Sequence, residues 1–196
     1  QRALANNSVA YTEIPDIGIF MKEWQSLYES KSGERGIFNR VSAIKKAVDS
    51  GRREIDGFDF GTNPCGEIIL RSAGLCNLSE IVVRSSDTEE DLKRKARIAT
   101  IIGTYQSTLT NFRYLRNIWK TNAEQESLLG VSLTGIMDHP LLSGRENKEL
   151  LSDLLLNIKS ITVNENVLWA SKIGITPSVA ITTVKPSGTV SQLVDS

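Results

Sequence analysis

The hydrophobic positions along the chain follow two spacings, one typical of helices and one typical of strands. The helical spacing predicts a helix that Asp16 caps, a second near Val41, a third that begins with an Asp87 and Glu90 capping box, and a long helix over residues 147–173. Short apolar or alternating runs predict strands at residues 5–12, 67–70, 78–83, 128–133 and 179–184. Strands that alternate with long helices indicate an α/β domain with parallel strands and crossover helices.

Two of these predicted helices carry apolar stripes that we expect to pack in the core. The stripe of the first helix consists of Ile17, Phe20, Met21, Trp24, Leu27 and Tyr28. That of the long helix consists of Leu150, Leu151, Leu154, Leu155, Ile158 and Ile161. The third helix is expected to carry Leu92, Ala96, Ala99, Ile102 and Leu109. Residues 33–39 are predicted to be a loop. A solvated face is predicted for the basic residues Lys45, Lys46, Arg52 and Arg53.

The composition excludes some classes of protein but does not by itself indicate a function. The chain has 196 residues, zero net charge and two cysteines, so nothing indicates nucleic acid or an anionic membrane as a partner. No apolar run approaches the roughly 20 residues of a spanning helix, and two cysteines fit a reducing, cytoplasmic setting. Because the chain begins at Gln1 rather than Met and stops at Ser196 as a helix is expected to begin, we expect a piece of a longer protein.

The segment Asn63-Pro64-Cys65-Gly66-Glu67 combines an amide, a thiol and a carboxylate within five residues. Pro64 and Gly66 indicate a tight loop, and an extended backbone would place the other three side chains on one face. The nearby carboxylate disfavours a thiolate, and no signature brings His139 close, so one-electron chemistry suits this thiol better than papain-type catalysis. From these residues alone, a functional thiol and a small buried one remain equally open.

A second candidate site follows the last predicted strand, at Lys185-Pro186-Ser187-Gly188-Thr189-Val190-Ser191. A glycine-containing loop at a helix N-terminus presents free backbone N–H groups and a positive dipole end, which favour an anion. The pattern is not a Walker loop, because it lacks the Gly-Lys-Ser/Thr ending. From these residues alone, an ordinary capped helix explains the pattern better.

Several motifs together resemble ribonucleotide reductases. Residues 63–68 and 76–81 are similar to the active-site finger loop and the following strand of that family. Only ten residues separate Cys65 from Cys76, which resembles the adenosylcobalamin-dependent class II enzymes, whereas class I enzymes usually have a longer insertion there. Residues 5–9, 33–38 and 185–191 add similarity to the monomeric ribonucleoside-triphosphate reductase branch, so the resemblance covers nearly the whole chain.

The resemblance implies a fold. Residues 1–196 would form a fragment of the catalytic barrel domain, a ten-stranded α/β barrel. A finger loop at about residues 61–67 would run through its centre, and a phosphate-binding loop would lie at about residues 185–191. This chain would supply only some of the strands.

The resemblance also implies roles for individual residues. Cys65 would become a thiyl radical and abstract the ribose 3′ hydrogen, Glu67 would accept the 3′-hydroxyl proton, and Asn63 would hold the ribose hydroxyls. Cys76 would be one of two cysteines that reduce the 2′ carbon, and its partner is missing from this sequence. The substrate phosphates would bind Pro186, Ser187, Gly188, Thr189, Val190 and Ser191.

The family further implies adenosylcobalamin as cofactor and ribonucleoside triphosphates as substrates, reduced to 2′-deoxyribonucleotides for DNA synthesis. No protein metal ligands and no Asp-x-His-x-x-Gly corrin-binding motif are expected. The implied partners are a thioredoxin-like reductant and a deoxynucleotide effector, and the full-length protein would be a monomer. Two alternatives stay open: a class I large subunit that receives its radical from a metal-bearing protein, and a non-catalytic nucleotide-binding domain in which both thiols are structural.

Overall fold

The computed structural model describes residues 7–33, 35–51 and 59–196, with the side chain of Asn7 left out. The chain divides into two units, residues 1–72 and 73–196. Some sequence predictions lie outside the described residues, namely those on Ala5, Asn6, Glu34, Arg52 and Arg53. No helix in the described part of the chain has both the length and the apolar character to cross a membrane.

The first unit contains a parallel strand pair followed by an antiparallel hairpin. Strand β1 pairs in parallel with β2, with α1 as the connection between them, and β3 pairs antiparallel with β4. A small core forms where α2 packs on β3, around Ala43, Ala47 and Phe60. The elements are β1 (Asn7–Tyr11), α1 (Ile17–Ser30), β2 (Arg35–Asn39), α2 (Arg40–Asp49), β3 (Phe60–Thr62) and β4 (Ile69–Arg71).

Helix α1 begins where the sequence predicts, but its apolar stripe is not buried. Asp16 Oδ1 accepts hydrogen bonds from Gly18 N at 2.8 Å and Ile19 N at 3.2 Å, which confirms the predicted cap. Trp24 is 57% exposed and Tyr28 80% exposed, and α1 has no buried residue, so the expected core stripe is wrong. Periodicity reports that one face is apolar, whereas tertiary packing decides whether anything covers that face.

Residues 35–39 form strand β2, so the loop predicted for this stretch is wrong. The register runs from Asn7 opposite Arg35 to Tyr11 opposite Asn39, and parallel pairing with β1 supplies the backbone hydrogen bonds. Asn39 then caps α2, because its side-chain oxygen accepts a hydrogen bond from Ser42 N at 3.0 Å. The predicted second helix is therefore confirmed.

The second unit is built on two parallel strands with long helices packed against them. Strand β5 pairs in parallel with β6, from Leu78 opposite Gly130 to Val82 opposite Thr134. The backbone near Thr182 runs beside β6 but forms only a single bridge, so the strand predicted at residues 179–184 is present in part. The elements are β5 (Leu78–Val82), α3 (Glu89–Gln106), α4 (Asn117–Glu126), β6 (Gly130–Thr134), α5 (Lys148–Ile173) and α6 (Gly188–Leu193).

The core of the second unit lies between the strand pair and helices α3 and α5. Its buried members are Ile81, Val83, Leu92, Ala96, Ala99, Leu129, Val131, Leu142, Leu154 and Ile158. On α5 the buried face continues through Thr162, Asn166 and Ala170, whereas Leu150 and Leu155 of the predicted stripe are exposed. Every fourth residue faces the core, because α5 contacts its neighbours along one narrow line of its surface.

The predicted start of α3 is displaced by one residue. Thr88 and Asp91 form the capping box: Asp91 N donates to Thr88 Oγ1 at 3.2 Å, and Thr88 N donates to Asp91 Oδ2 at 3.1 Å. The helix ends at Gln106, so Leu109 lies beyond it. Helix α4 was not predicted, although Leu115, Trp119 and Ala123 recur at helical spacing. The mixed α/β arrangement confirms the predicted fold class, and the ten-stranded barrel stays a prediction.

Asp87 lies outside this capping box, and its nearly buried side chain pairs with Lys95 instead. Its side chain is 10% exposed, and its Oδ2 accepts hydrogen bonds from Lys95 Nζ at 2.6 Å and from Arg84 N at 2.9 Å. Burial alone raises the pKa of Asp87, but the hydrogen bonds from Lys95 and Arg84 outweigh it and lower the pKa below 3.8.

We expect Asp87→Asn to destabilise the chain by about 1.5–3 kcal/mol at pH 7, because a hydrogen-bonded charge is lost. The stabilisation from a lowered carboxyl pKa is complete above the unfolded pKa of 3.8 and is lost as pH falls through the lower folded pKa. The difference between wild type and variant should therefore shrink below pH 3.8 in urea unfolding series. The exposed Asp153→Asn serves as control, and a difference independent of pH would contradict the assignment.

Two glycines with similar left-handed backbones offer a matched packing test. Gly135 has φ +79° and Gly174 has φ +81°. A Cβ on Gly135 would lie 2.4 Å from Val83 O, whereas a Cβ on Gly174 would meet no atom within 4 Å. We expect Gly174→Ala to cost about 1–2 kcal/mol of unfolding free energy from backbone strain. Gly135→Ala should cost about 2 kcal/mol more, since backbone must move. Equal losses would show that Gly135 is not closely packed.

Candidate active site

The hairpin between β3 and β4 turns at the cysteine motif. Gly66 N donates to Asn63 O at 3.0 Å, which closes a four-residue turn, and Gly66 has φ +81°. Pro64 fits the second position of such a turn because its φ is fixed. The extended backbone considered for residues 63–67 is therefore wrong, and the turn carries Cys65, an exposed and reduced cysteine.

Asn63 is the organising side chain of this turn. It is 8% exposed, and its Nδ2 donates to Glu67 Oε2 at 2.6 Å. Its Oδ1 accepts from Ile68 N at 3.0 Å and from Thr62 Oγ1 at 3.4 Å. One amide thus holds both strands of the hairpin and orients the carboxylate. Sequence reasoning identified Asn63 and Glu67 but not the bond between them, because that bond depends on the chain reversal.

The space around Cys65 is open on the side of Gly66. A Cβ on Gly66 would meet no atom of the described residues within 4 Å, so this side of the turn is open at Gly66. An exposed thiol on a stiff turn can exchange a hydrogen atom with a large bound group. The residues of the turn therefore fit a bulky radical-generating cofactor.

Cys76 lies immediately before β5 in the second unit and is also exposed and reduced. It borders a cavity of about 220 Å³ that Asn77, Phe112, Asn122 and Glu126 also line. Asn77 Nδ2 donates to Gly103 O and Leu128 O, both at 3.0 Å, which fixes the backbone next to the thiol. Sequence reasoning missed the polar residues of this cavity, and the only signal for Asn77 was its position after Cys76.

The loop at 185–191 follows the segment that runs beside β6. Lys185 N donates to Ser132 Oγ at 3.0 Å, which ties the loop to the strand. Ser191 Oγ donates to Gly188 O at 2.9 Å, so this hydroxyl is used within α6. Ser187 Oγ is buried and has no hydrogen-bond partner among the described residues. Of the predicted hydroxyl donors, Ser187 is thus the one whose oxygen is buried without a hydrogen-bond partner among the described residues.

His139 is a structural residue of the second unit. It is 8% exposed, and Leu142 N donates to its Nδ1 at 3.2 Å, so Nε2 carries the proton and donates to Asp87 O at 3.0 Å. Within the described ranges, no three His, Cys, Asp or Glu residues are close enough to hold a metal ion. The candidate chemistry therefore lies in three places: Asn63, Cys65 and Glu67 in the first unit, Cys76 ahead of β5 in the second unit, and residues 186–191 after the segment that runs beside β6.

Comparison with known proteins identifies relatives of this chain. No family model matches the chain. It is 28% identical to the adenosylcobalamin-dependent ribonucleoside-triphosphate reductase of Lactobacillus acidophilus over 83% of the chain, and 29% identical to that of Lactobacillus gasseri over 98%. It is 30% identical to the reductase of Levilactobacillus brevis over 83%. The chain spans only 25–28% of the length of these relatives.

A solved structure gives the fold. The crystal structure of a B12-dependent class II ribonucleotide reductase matches 95% of this chain and 33% of its own, with a TM-score of 0.66 and 21% identity. The resemblance inferred from the cysteine motifs is therefore confirmed by both comparisons. At this identity the structural likeness concerns the fold alone.

The structural role of the Asn63 side-chain amide can be tested without an activity assay. We expect Asn63→Ala to accelerate hydrogen exchange at Ile68 N about tenfold, because that N–H loses its side-chain acceptor. Glu67→Gln should leave the exchange rate nearly unchanged, since the glutamine oxygen still accepts from Asn63. Equal acceleration in the two variants, measured by NMR, would mean that Asn63 does not hold the hairpin.

Proposed function

We propose that this chain is part of the catalytic core of an adenosylcobalamin-dependent class II ribonucleotide reductase. The whole protein would reduce ribonucleoside triphosphates to 2′-deoxyribonucleotides by thiyl-radical chemistry. The observation that carries the proposal is the turn that exposes Cys65 beside the hydrogen-bonded pair of Asn63 and Glu67. The relatives reported above, all named as cobalamin-dependent reductases, support it.

In the proposed architecture, residues 1–196 contribute some of the strands of a ten-stranded α/β barrel. The parallel pairs β1–β2 and β5–β6 suit such a barrel, because parallel strands need crossover helices and both pairs have them. The hairpin around residues 61–67 would be the finger loop inside the barrel. The rest of the polypeptide would supply the remaining strands.

Cys65 would carry the radical. Adenosylcobalamin, when bound, would supply an organic radical that accepts the thiol hydrogen. The Cys65 sulfur would then take the 3′ hydrogen of the ribose and return it at the end of the cycle. A cysteine on an exposed, stiff turn meets both needs, since its sulfur must face the cofactor and then the sugar in reactive geometry.

Glu67 and Asn63 would manage the 3′-hydroxyl group. Glu67 would accept its proton as general base, and the 2.6 Å hydrogen bond from Asn63 fixes the carboxylate for that transfer. Asn63 Oδ1 is already occupied by Ile68 N, so the second amide N–H is the group left to hold a ribose hydroxyl. The pair would therefore act as one unit.

Cys76 would provide one of the two reducing thiols. Two thiols deliver two electrons and two protons, the 2′ hydroxyl leaves as water, and a disulfide remains. The second thiol must come from a part of the polypeptide outside this sequence, so we expect the isolated chain to form no deoxynucleotide. A thioredoxin-like reductant would restore the thiols, and a deoxynucleotide effector, a monomeric state and a cytoplasmic location belong to the same proposal.

The substrate phosphates would bind the loop at residues 185–191. Backbone N–H groups near Gly188 and the unpartnered Ser187 hydroxyl are suitable donors. The class I alternative is not favoured, because these relatives are cobalamin-dependent. A non-catalytic nucleotide-binding domain remains the second candidate, since it needs only the phosphate loop.

Two cysteine variants of the full-length protein separate these functions. Cys65→Ser should abolish deoxynucleotide formation and loss of label from a 3′-tritiated substrate, because the serine O–H bond is too strong for hydrogen abstraction. Cys76→Ser should abolish deoxynucleotide formation but retain abstraction at the 3′ position. Full activity of Cys65→Ser would favour the non-catalytic domain, and activity without added adenosylcobalamin would favour class I.

A further inference from the structure

Glu80, in the middle of β5, is a carboxylate without hydrogen bonds in an almost buried position. Its neighbour Ile81 packs in the core, so strand alternation turns Glu80 to the opposite face of the sheet. The side chain is 10% exposed, and neither Oε1 nor Oε2 accepts a hydrogen bond from the described residues. A buried carboxylate is costly unless an opposite charge compensates it.

The compensating charge is Lys185, the first residue of the proposed phosphate loop. Lys185 Nζ lies 3.8 Å from Glu80 Oε2, which is an ion pair but too long for a hydrogen bond. The lysine side chain is 25% exposed, and its three ammonium hydrogens have no hydrogen-bond partner in the described ranges. Charge attraction thus holds the ammonium group while its donors remain available.

Ser132 connects the two charged residues through the backbone. It lies opposite Glu80 in the β5–β6 register and is 1% exposed, and its Oγ accepts from Lys185 N at 3.0 Å. The backbone and the side-chain tip of Lys185 are therefore both fixed to the same face of the strand pair. Two residues later, Ser187 Oγ is buried and unpartnered. The Lys185 ammonium group and the Ser187 hydroxyl lie two residues apart in the same loop, and both keep donors that suit a negatively charged ligand.

We propose that Glu80 is a positioning residue, which holds the Lys185 ammonium group at the phosphate loop so that it binds a substrate phosphate. This inference rests on the proposed function, because the anion is the triphosphate of the substrate. Lysine has a flexible four-carbon stem, and ordering it when substrate binds costs conformational entropy. Glu80 lowers that cost by ordering the stem beforehand. The ammonium group can then bridge the carboxylate and the phosphate.

The test compares the full-length protein with three variants: Glu80→Gln, Lys185→Met and the double variant. Glu146→Gln serves as the control, because it removes an exposed carboxylate. We expect Lys185→Met to raise KM for the ribonucleoside triphosphate about tenfold, as expected for one lost charged hydrogen bond, with kcat nearly unchanged. Glu80→Gln should raise KM about threefold, with kcat again unchanged. In protein that already carries Lys185→Met, Glu80→Gln should not change KM further, because the ammonium group that Glu80 positions is gone.

Equilibrium dialysis of the same variants with a nucleoside triphosphate gives the affinity without turnover. If wild-type protein binds the nucleotide but makes no deoxynucleotide, the proposed function fails while the affinities still decide the role of Glu80. An unchanged affinity in Lys185→Met would overturn the inference. Tighter binding in Glu80→Gln would mean that the carboxylate competes with phosphate. Equal effects of Glu80→Gln with and without Lys185 would reduce Glu80 to a structural residue.

Discussion

The hydrogen bonds of the Asn63 amide are the interaction on which the candidate chemistry depends. Its oxygen holds Ile68 N on the returning strand, and its nitrogen holds the Glu67 carboxylate. Removing the Asn63 side chain would leave the partly buried Ile68 N–H without this acceptor and the Glu67 carboxylate without this donor. The thiol of Cys65 needs only to be presented, whereas the carboxylate needs an orientation. The turn supplies both: the backbone bond from Gly66 N to Asn63 O closes it, and the Asn63 side chain orients the carboxylate.

In the second unit, the candidate residues are held in place because they adjoin the ends of parallel strands. Cys76 precedes β5, and the loop at 185–191 follows the segment beside β6, so the core that holds these strands also sets the two sites. Asn166 strengthens this arrangement from α5. It is fully buried, donates to Thr104 Oγ1 and Ser178 Oγ, and accepts from Ser178 N at 2.9 Å. The long helix is thereby bonded to the segment that leads to the loop.

Buried polar groups in the second unit differ in how completely they are satisfied. The network around Asn166 is fully paired, as is usual for a structural core. Among the described residues, Glu80 accepts no hydrogen bond and has only its ion pair with Lys185, and the buried Ser187 Oγ has no hydrogen-bond partner. Unpaired buried groups cost stability and persist where a bound molecule completes them. Asn77 Oδ1 and Ser79 Oγ also lack hydrogen-bond partners among the described residues, so the assignment of Glu80 and Ser187 to substrate rests on their place at the phosphate loop.

The sequence by itself determined the fold class, the helix starts at Asp16 and Asn147, the strands β5 and β6, and the identity of the cysteine, carboxylate and amide of the candidate site. These depend on local periodicity, capping and short motifs, which are properties of neighbouring residues. Only the tertiary structure decided that residues 35–39 form a strand, that the Trp24 stripe is exposed, and that the tight loop predicted at Pro64 and Gly66 joins Asn63 to Glu67 by a hydrogen bond. It also gave Lys185 its partner Glu80, more than a hundred residues away. Pairing of distant backbone and the covering of an apolar face depend on what packs alongside, and that information is absent from any single stretch of sequence.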